Sequence, residues 1–315
     1  MIDSIYAGPG KIFTATKALW PEGENGMLKY DVEQERNDVS SSNHGRITAT
    51  GGDVTTKVSL TPFDNWGALS VLYPTIIKTP AIGSRAHGAA DVPATIWTPD
   101  GRKYLLPRVA VTKHPELHLG VGKALYGPCE FTGLIATAKN VGDVAAFHTI
   151  TESAAADPGG VMTMADFIRE AWTGVWGTVA GFGGDGGSAI QAEEEWVISV
   201  NAKYSALKVQ KLTRSMKLDS VEIMAKLRPV GPTHTQIDAA LAIQAGRLLG
   251  QRFSTAATDL VLTSASAKTI TLKNADIVGA GFEFGGTKLG TGEIGFVTGI
   301  TFTAGVVQPL IVFSA

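Results

Sequence analysis

The chain has 315 residues, one cysteine, 18% charged residues and a formal net charge of −2. That length can bury one or two cores without staples, while the lone Cys129 excludes an internal disulfide and a cysteine-rich zinc site. The near-neutral charge supplies no basic field of the kind that drives tight nucleic-acid binding. No stretch reaches the roughly 18 apolar residues of a membrane-spanning helix.

Met1 to Trp20 lacks the charged start and apolar block of a signal peptide, so cytosolic synthesis is expected. From Leu28 onward, Leu28, Tyr30 and Val32 alternate with Lys29, Asp31 and Glu33, the period of a strand with one face on a core. Val54, Val58 and Leu60 alternate in the same way against Thr55, Lys57 and Ser59, and Pro62 ends the run. The Asn37–Gly45 stretch between them is rich in turn formers. The sequence therefore predicts a hairpin with a long polar tip. Phe63, Trp66, Ala68, Leu69 and Leu72 suit a short helix stopping at Pro74, and Thr95–Trp97 and Leu105–Thr112 form a strand pair around Pro99-Asp100-Gly101.

His118 to Leu134, HLGVGKALYGPCEFTGL, holds glycines and a lysine in an order that no phosphate loop uses. Leu117 and Ala124 stand where a Walker-type loop needs a glycine and a hydroxyl. Gly120 and Gly122 are read as a structural turn, Gly127-Pro128 as the lead into a strand Cys129–Ile135, and Lys123 as a candidate contact between subunits.

The order of elements then returns. Trp196, Ile198, Val200 and Tyr204 alternate with Ser199, Asn201 and Lys203, a polar tip follows, and Val221, Ile223, Ala225 and Leu227 end at Arg228-Pro229. Ile237, Ala240, Leu241, Leu248 and Leu249 supply a helical face, Leu260–Leu262 and Thr269–Leu272 a strand pair, and Phe284–Ile300 a glycine-rich close. In this alignment Lys123 matches Lys288, Gly127 matches Gly292, Glu130 matches Glu293 and Phe131 matches Ile294. Residues 139–173 have no counterpart and read as a connector with one helix, capped at Thr163-Met164-Ala165-Asp166 and carrying Phe167, Ile168, Ala171 and Trp172. The expected organisation is a β-domain over 1–138, the connector over 139–173, and a second β-domain over 174–315.

A long-tipped hairpin, a short helix, a strand pair and a glycine-rich strand ending near EFTGL resemble, in that order, the tail tube proteins of long-tailed, siphovirus-like bacteriophages. YAGPGKIF, KVSLTPFDNWGAL (Lys57 to Leu69) and YGPCEFTGL (Tyr126 to Leu134) are similar to segments of phage virion proteins. The resemblance implies a mainly β chain with flanking α-helices, built as two tandem tail-tube-like sandwich or barrel domains. It implies homotrimeric rings with pseudo-sixfold symmetry, stacked into a hollow tube around a tape measure protein. Tail terminator and tail tip proteins would be further partners, and double-stranded DNA would pass through non-specifically. The location implied is the virion tail, with no membrane, no enzyme activity and no cofactor or metal.

On that reading Lys29, Asp31, Glu33, Ser199, Asn201 and Lys203 are candidates to face the lumen, with bulk solvent as the plainer alternative. The hairpin tips differ in sign. Asp31, Glu33, Glu35 and Asp38 flank the first, and Lys208, Lys211, Arg214 and Lys217 flank the second, so contacts between hairpins of opposite charge are expected. Leu310, Ile311, Val312 and Phe313 form an apolar C-terminal arm, which either adds to a neighbouring domain or docks on its own, and Met1–Gly10 is a candidate matching arm.

Other function classes find less in the residues. Gly181-Phe182-Gly183-Gly184-Asp185-Gly186 matches a dinucleotide fingerprint without its strand-turn-helix context and reads as a flexible loop. His114 and His118 have helical metal spacing, but Pro115 and the alternating Leu117 and Leu119 argue for extended chain. Glu193-Glu194-Glu195 reads as a solvated lead into a strand, and Cys129 as a small buried residue. A capsid decoration protein or tail-end adaptor is the nearest alternative, followed by a carbohydrate-binding β-protein using Trp20, Trp66 or Trp97.

Overall fold

The computed structural model describes residues 11–14, 17–22, 26–43, 45–83, 92–98, 102–134, 149–152, 168–179, 181–184, 186, 188–209, 212–230, 235–245, 258–280, 282–285 and 288–314. The candidate arm Met1–Gly10, the Pro99-Asp100-Gly101 turn, Leu248 and Leu249, and the predicted helix cap at Thr163–Asp166 lie outside the described residues.

The chain is mainly β with short flanking helices. Its first half runs β1 (Lys11–Thr14), β2 (Lys17–Leu19), β3 (Lys29–Ser41) and β4 (Gly45–Leu60). A 3-10 turn over Trp66–Ala68 then leads into α1 (Leu69–Leu72) and α2 (Thr75–Lys78). After these come β5 (Val92–Trp97), β6 (Arg102–Lys113), β7 (Leu117–Leu119), β8 (Cys129–Leu134) and β9 (Thr149–Glu152). The second half runs β10 (Trp172–Trp176), β11 (Ile190–Val209), β12 (Leu212–Pro229), α3 (Thr235–Ala245), β13 (Thr258–Ser264) and β14 (Thr269–Gly279). It ends with β15 (Phe282–Gly285), β16 (Lys288–Thr291), β17 (Ile294–Thr298), β18 (Phe302–Thr303), β19 (Val306–Val307) and β20 (Ile311–Ser314).

Both hairpins are longer than the turn chemistry predicts. The β3–β4 ladder continues through Asn37↔Thr50 and Asp38↔Ala49 to Ser41↔Gly45, and the β11–β12 ladder runs out to Val209↔Leu212. Asn37 to Ser41 are thus strand residues. Ladder pairing outweighs their turn preference, because strand propensity is set mainly by cross-strand context.

In the second half β11, β12, β17, β14, β13 and β10 pair in sequence, and β10 returns to β11, so six antiparallel strands close a barrel. Its interior holds Trp176, Trp196, Phe182 and Phe296, all at most 2% exposed, with successive ring centroids 5.2 to 6.4 Å apart. Gly174 lets β10 approach this cluster, since a Cβ there would lie 2.5 Å from the Trp196 ring. Inward Trp172, Gly174 and Trp176 correct the predicted connector helix at its C-terminal end. Ile168 and Arg169 are not helical, Trp172 opens a strand, and the expected boundary at 173/174 falls inside β10. Phe167 lies outside the described residues.

The first half repeats the same pairing order, β3-β4-β8-β6-β5-β1, without a described closing pair from β1 to β3. On the flank, β9 pairs with β6 as β20 pairs with β14, so the stretch expected as a connector contains the counterpart of the C-terminal strand. Register fixes the match residue by residue. Tyr30, Val58, Phe131 and Val111 lie side by side on four strands, as do Ile198, Ala225, Phe296 and Ile277. Phe131 therefore matches Phe296, and the sequence alignments of Phe131 with Ile294 and Glu130 with Glu293 are two positions out. Each phenylalanine fills the core opposite a buried aliphatic or alanine side chain, which sets the register more strongly than the preceding loop does.

The halves share one sheet. β7 adds to β11, with Leu119 opposite Trp196, His118 opposite Val197 and Leu117 opposite Ile198, and β4 touches β12 in parallel at Leu212↔Val54.

Candidate functional site

The surfaces that could meet a partner are the two hairpins, the seam between the halves and the C-terminal strand. On β3, Lys29, Asp31 and Glu33 share one face as predicted, and on β11, Ser199, Asn201 and Lys203 do the same. Ile198 and Val200, on the other face of β11, are buried, whereas Val32 on the matching face of β3 is 48% exposed. From Gln34 to Ser40, β3 is exposed on both faces except at Asn37, which is half-buried. The first hairpin thus projects as a two-stranded ribbon, a form that is marginal on its own in water.

Its acidic character is moderated from within. Lys29 Nζ sits 2.7 Å from Asp31, raising the amine pKa through that hydrogen bond, and Arg36 Nε donates to Asp38 at 2.9 Å. In the second hairpin Lys217 contacts Asp219 at 3.1 Å, and this partner together with Ser205 lowers the Asp219 carboxyl pKa. Alternating strand positions place opposite charges two residues apart on the same face, so each hairpin neutralises part of its own charge. A charge contrast remains. Residues 203–220 carry five basic side chains, Lys203, Lys208, Lys211, Arg214 and Lys217, against the single acid Asp219. Lys211 lies outside the described residues.

The glycine-rich stretch after β7 packs on β11. A Cβ on Gly120 would lie 2.5 Å from the Glu194 carbonyl oxygen, and Gly122, at φ 73°, donates its N–H to the Arg169 carbonyl at 3.2 Å. Lys123 Nζ lies 3.4 Å from Glu194, and His118 Nδ1 lies 3.2 Å from Glu195. Lys123 meets its own chain, because β7 carries the turn onto the acidic start of β11. Glu193 to Glu195 belong to that strand.

Beneath the turn lies a network that the sequence does not reveal. Asp64 is fully buried and accepts from the Leu125 N–H at 2.6 Å and from Arg169 Nε at 2.5 Å. Arg169 also donates to Glu22 at 2.5 Å, and the two carboxylates raise its pKa further. The available signal was that Asp64 is the only charged residue between Thr61 and Ile77. Nearby, His114 Nδ1 donates to the Leu72 carbonyl and Nε2 accepts from the Tyr204 hydroxyl, both at 2.7 Å. Burial pushes the His114 pKa down to about 4 and the Tyr204 hydroxyl up. His114 and Leu72 belong to the first half and Tyr204 to the second, so this histidine couples the halves, and both its ring nitrogens are engaged.

The C-terminal arm docks on its own chain, the second of the two alternatives that the sequence leaves open. β20 pairs with β14, Leu310 and Ile311 are at most 1% exposed, and the Leu310 N–H donates to the Lys78 carbonyl at 2.6 Å. Val312 and Phe313 are half-buried, and the Phe313 ring meets Tyr73 at 5.3 Å and Trp66 at 6.2 Å. An apolar end finds its cover on the helical segment of the first half.

Of the candidate sugar-binding tryptophans, Trp97 is 7% exposed, Trp66 stacks on Trp172 at 6.1 Å, and Trp20 lies under the Lys11 amine at 4.2 Å. Residues 181–184 form a tight turn around fully buried Phe182. Cys129 is buried in β8, and burial pushes its thiol up to about 12. The sequence matches no known protein-family profile and no curated protein.

Proposed function

We propose that this chain is the major tail tube subunit of a long-tailed bacteriophage, with two fused tube units, so that three copies close a pseudo-sixfold ring and rings stack into a conduit for DNA. The observation that carries the reading is the recurrence of one pairing order, β3-β4-β8-β6-β5-β1 and then β11-β12-β17-β14-β13-β10, within a single sheet. A repeated unit joined head to tail within one chain is the geometry from which rings and stacked rings are built. The exposed ribbon of β3 and β4 supports the reading, because among the described residues β3 pairs with β4 alone and a second molecule could cover its outer side. The polar faces of β3 and β11 would line a wet lumen around a tape measure protein, and terminator and tip proteins would bound the tube.

Electron microscopy of the purified protein tests this directly. Rings or tubes of uniform bore are expected at low salt. A closed particle that never elongates would redirect the reading to a decoration or adaptor protein, and monomers at every concentration would refute it.

A further inference from the structure

The seam between the halves is a strand addition, and both of its members have counterparts elsewhere in the chain. β7 is held in its turn by the bridge Leu117↔Tyr126, and β15 is held on β16 by Phe282↔Thr291, each residue 165 positions further on. The matched rows Tyr30–Val58–Phe131 and Ile198–Ala225–Phe296 likewise make β3 the counterpart of β11. Leu28, Lys29 and Tyr30 then stand in the places of Trp196, Val197 and Ile198. Among the described residues β15 pairs with β16 alone, and β3 pairs with β4 alone.

We propose that β15 of one copy of this chain adds antiparallel to the outer edge of β3 of a second copy, with Lys29 opposite Glu283, repeating between molecules the seam that β7 and β11 make within one. The inference rests on the self-assembly proposed above and names the surfaces that carry it. The residue pattern agrees on both sides. Leu117-His118-Leu119 becomes Phe282-Glu283-Phe284, and Trp196-Val197-Ile198 becomes Leu28-Lys29-Tyr30, so apolar residues again flank a central position of opposite face.

In the internal seam the flanking residues Leu117, Leu119, Trp196 and Ile198 are at most 1% exposed. Leu28, the residue just before β3, and Tyr30 within it are only half-buried, which leaves apolar surface for a second copy to cover. The register also sets Tyr30 against Phe282 and Leu28 against Phe284, while Lys29 faces Glu283. Apolar and oppositely charged cross-strand pairs both favour such an alignment. Main-chain hydrogen bonds to an edge strand supply the rest, and they remove an edge that would otherwise invite aggregation. Because the contact joins unlike surfaces, it propagates head to tail until it closes.

The test mixes two single variants, Lys29→Cys and Glu283→Cys, allows assembly and then oxidises. A covalent dimer is expected in the mixture and in neither variant alone. It should be lost when Asp31→Cys replaces Lys29→Cys, a slip of two residues or about 7 Å along the strand. Lys29→Glu should block assembly, and Glu283→Lys in the same chain should restore it. Rings or tubes that yield no mixed disulfide and ignore the charge swap would overturn this seam while leaving the tube reading intact. A mixed disulfide in a particle that never elongates would uphold the seam and overturn the tube, and monomers without any disulfide would overturn both.

Discussion

Replacing Asp64 with alanine should be the most costly single change near the seam. The substitution removes the acceptor of the buried Leu125 N–H and one of the two carboxylates on Arg169, leaving Glu22 as the remaining partner. Breaking a buried ion pair costs about 3–5 kcal/mol, and an orphaned buried amide about 1–3 kcal/mol. The Arg169 side chain is 34% exposed, so water recovers part of the ionic loss. A net destabilisation of about 3 kcal/mol follows. Urea unfolding followed by tryptophan fluorescence reads it well, because Trp66 and Trp172 stack close to this network. Hydrogen exchange adds a local readout, in which protection of the Leu125 amide should collapse. Asp64→Asn keeps an oxygen for that amide and should recover roughly 1 kcal/mol of the loss. If Asp64→Ala costs less than about 1 kcal/mol, or Asn is no better than Ala, the network does not hold the turn that presents β7 to β11.

Three further outcomes are expected. With a folded-state pKa of about 4 against an ordinary 6.5, His114 stays neutral in the native chain while the unfolded chain takes up a proton. Stability should therefore be complete above pH 6.5 and fall by about 3 kcal/mol as pH drops from 6.5 to 4, a slope that His114→Gln removes in acid-unfolding curves. Deleting residues 310–315 should destabilise the unassembled chain by more than about 3 kcal/mol, since Leu310 and Ile311 are fully packed; a truncated monomer as stable as the parent would return the arm to an inter-subunit role. Reversing Lys208, Lys211, Arg214 and Lys217 to glutamate should abolish elongation at low salt, and tubes with unchanged salt sensitivity would refute a register set by the basic hairpin.

Strands were legible wherever one face is buried, because a period of two in apolar residues has no other simple reading. Trp172, read as the end of a helical stripe, and Trp176, which that reading left out, show where that logic fails. A spacing of four places both rings on one face of a helix and equally on one face of a strand, and only the inward Gly174 between them, packed against Trp196, decides for the strand. The apolar C-terminus was legible as buried but not as to its cover, which depends on the Tyr73 and Trp66 faces meeting in space. Asp64 was visible as a lone charge, yet its partners lie 61 and 105 residues away, beyond any local pattern.

The two seams differ in a way that their circumstances explain. Within the chain, His118 of β7 lies opposite Val197 of β11, and the polar contacts across the seam run to the side of that pair, from His118 to Glu195 and from Lys123 to Glu194. A covalent tether already keeps the partners at high effective concentration, so the central pair of that seam need not select its partner by charge. Between copies there is no tether, and encounter and register must be chosen among free molecules. Opposite charges at the central position, Lys29 facing Glu283, serve that selection, since complementary charge steers association and penalises slipped pairings more than it adds to affinity. On this argument the charge swap should change the rate and register of assembly before it changes the stability of the folded chain.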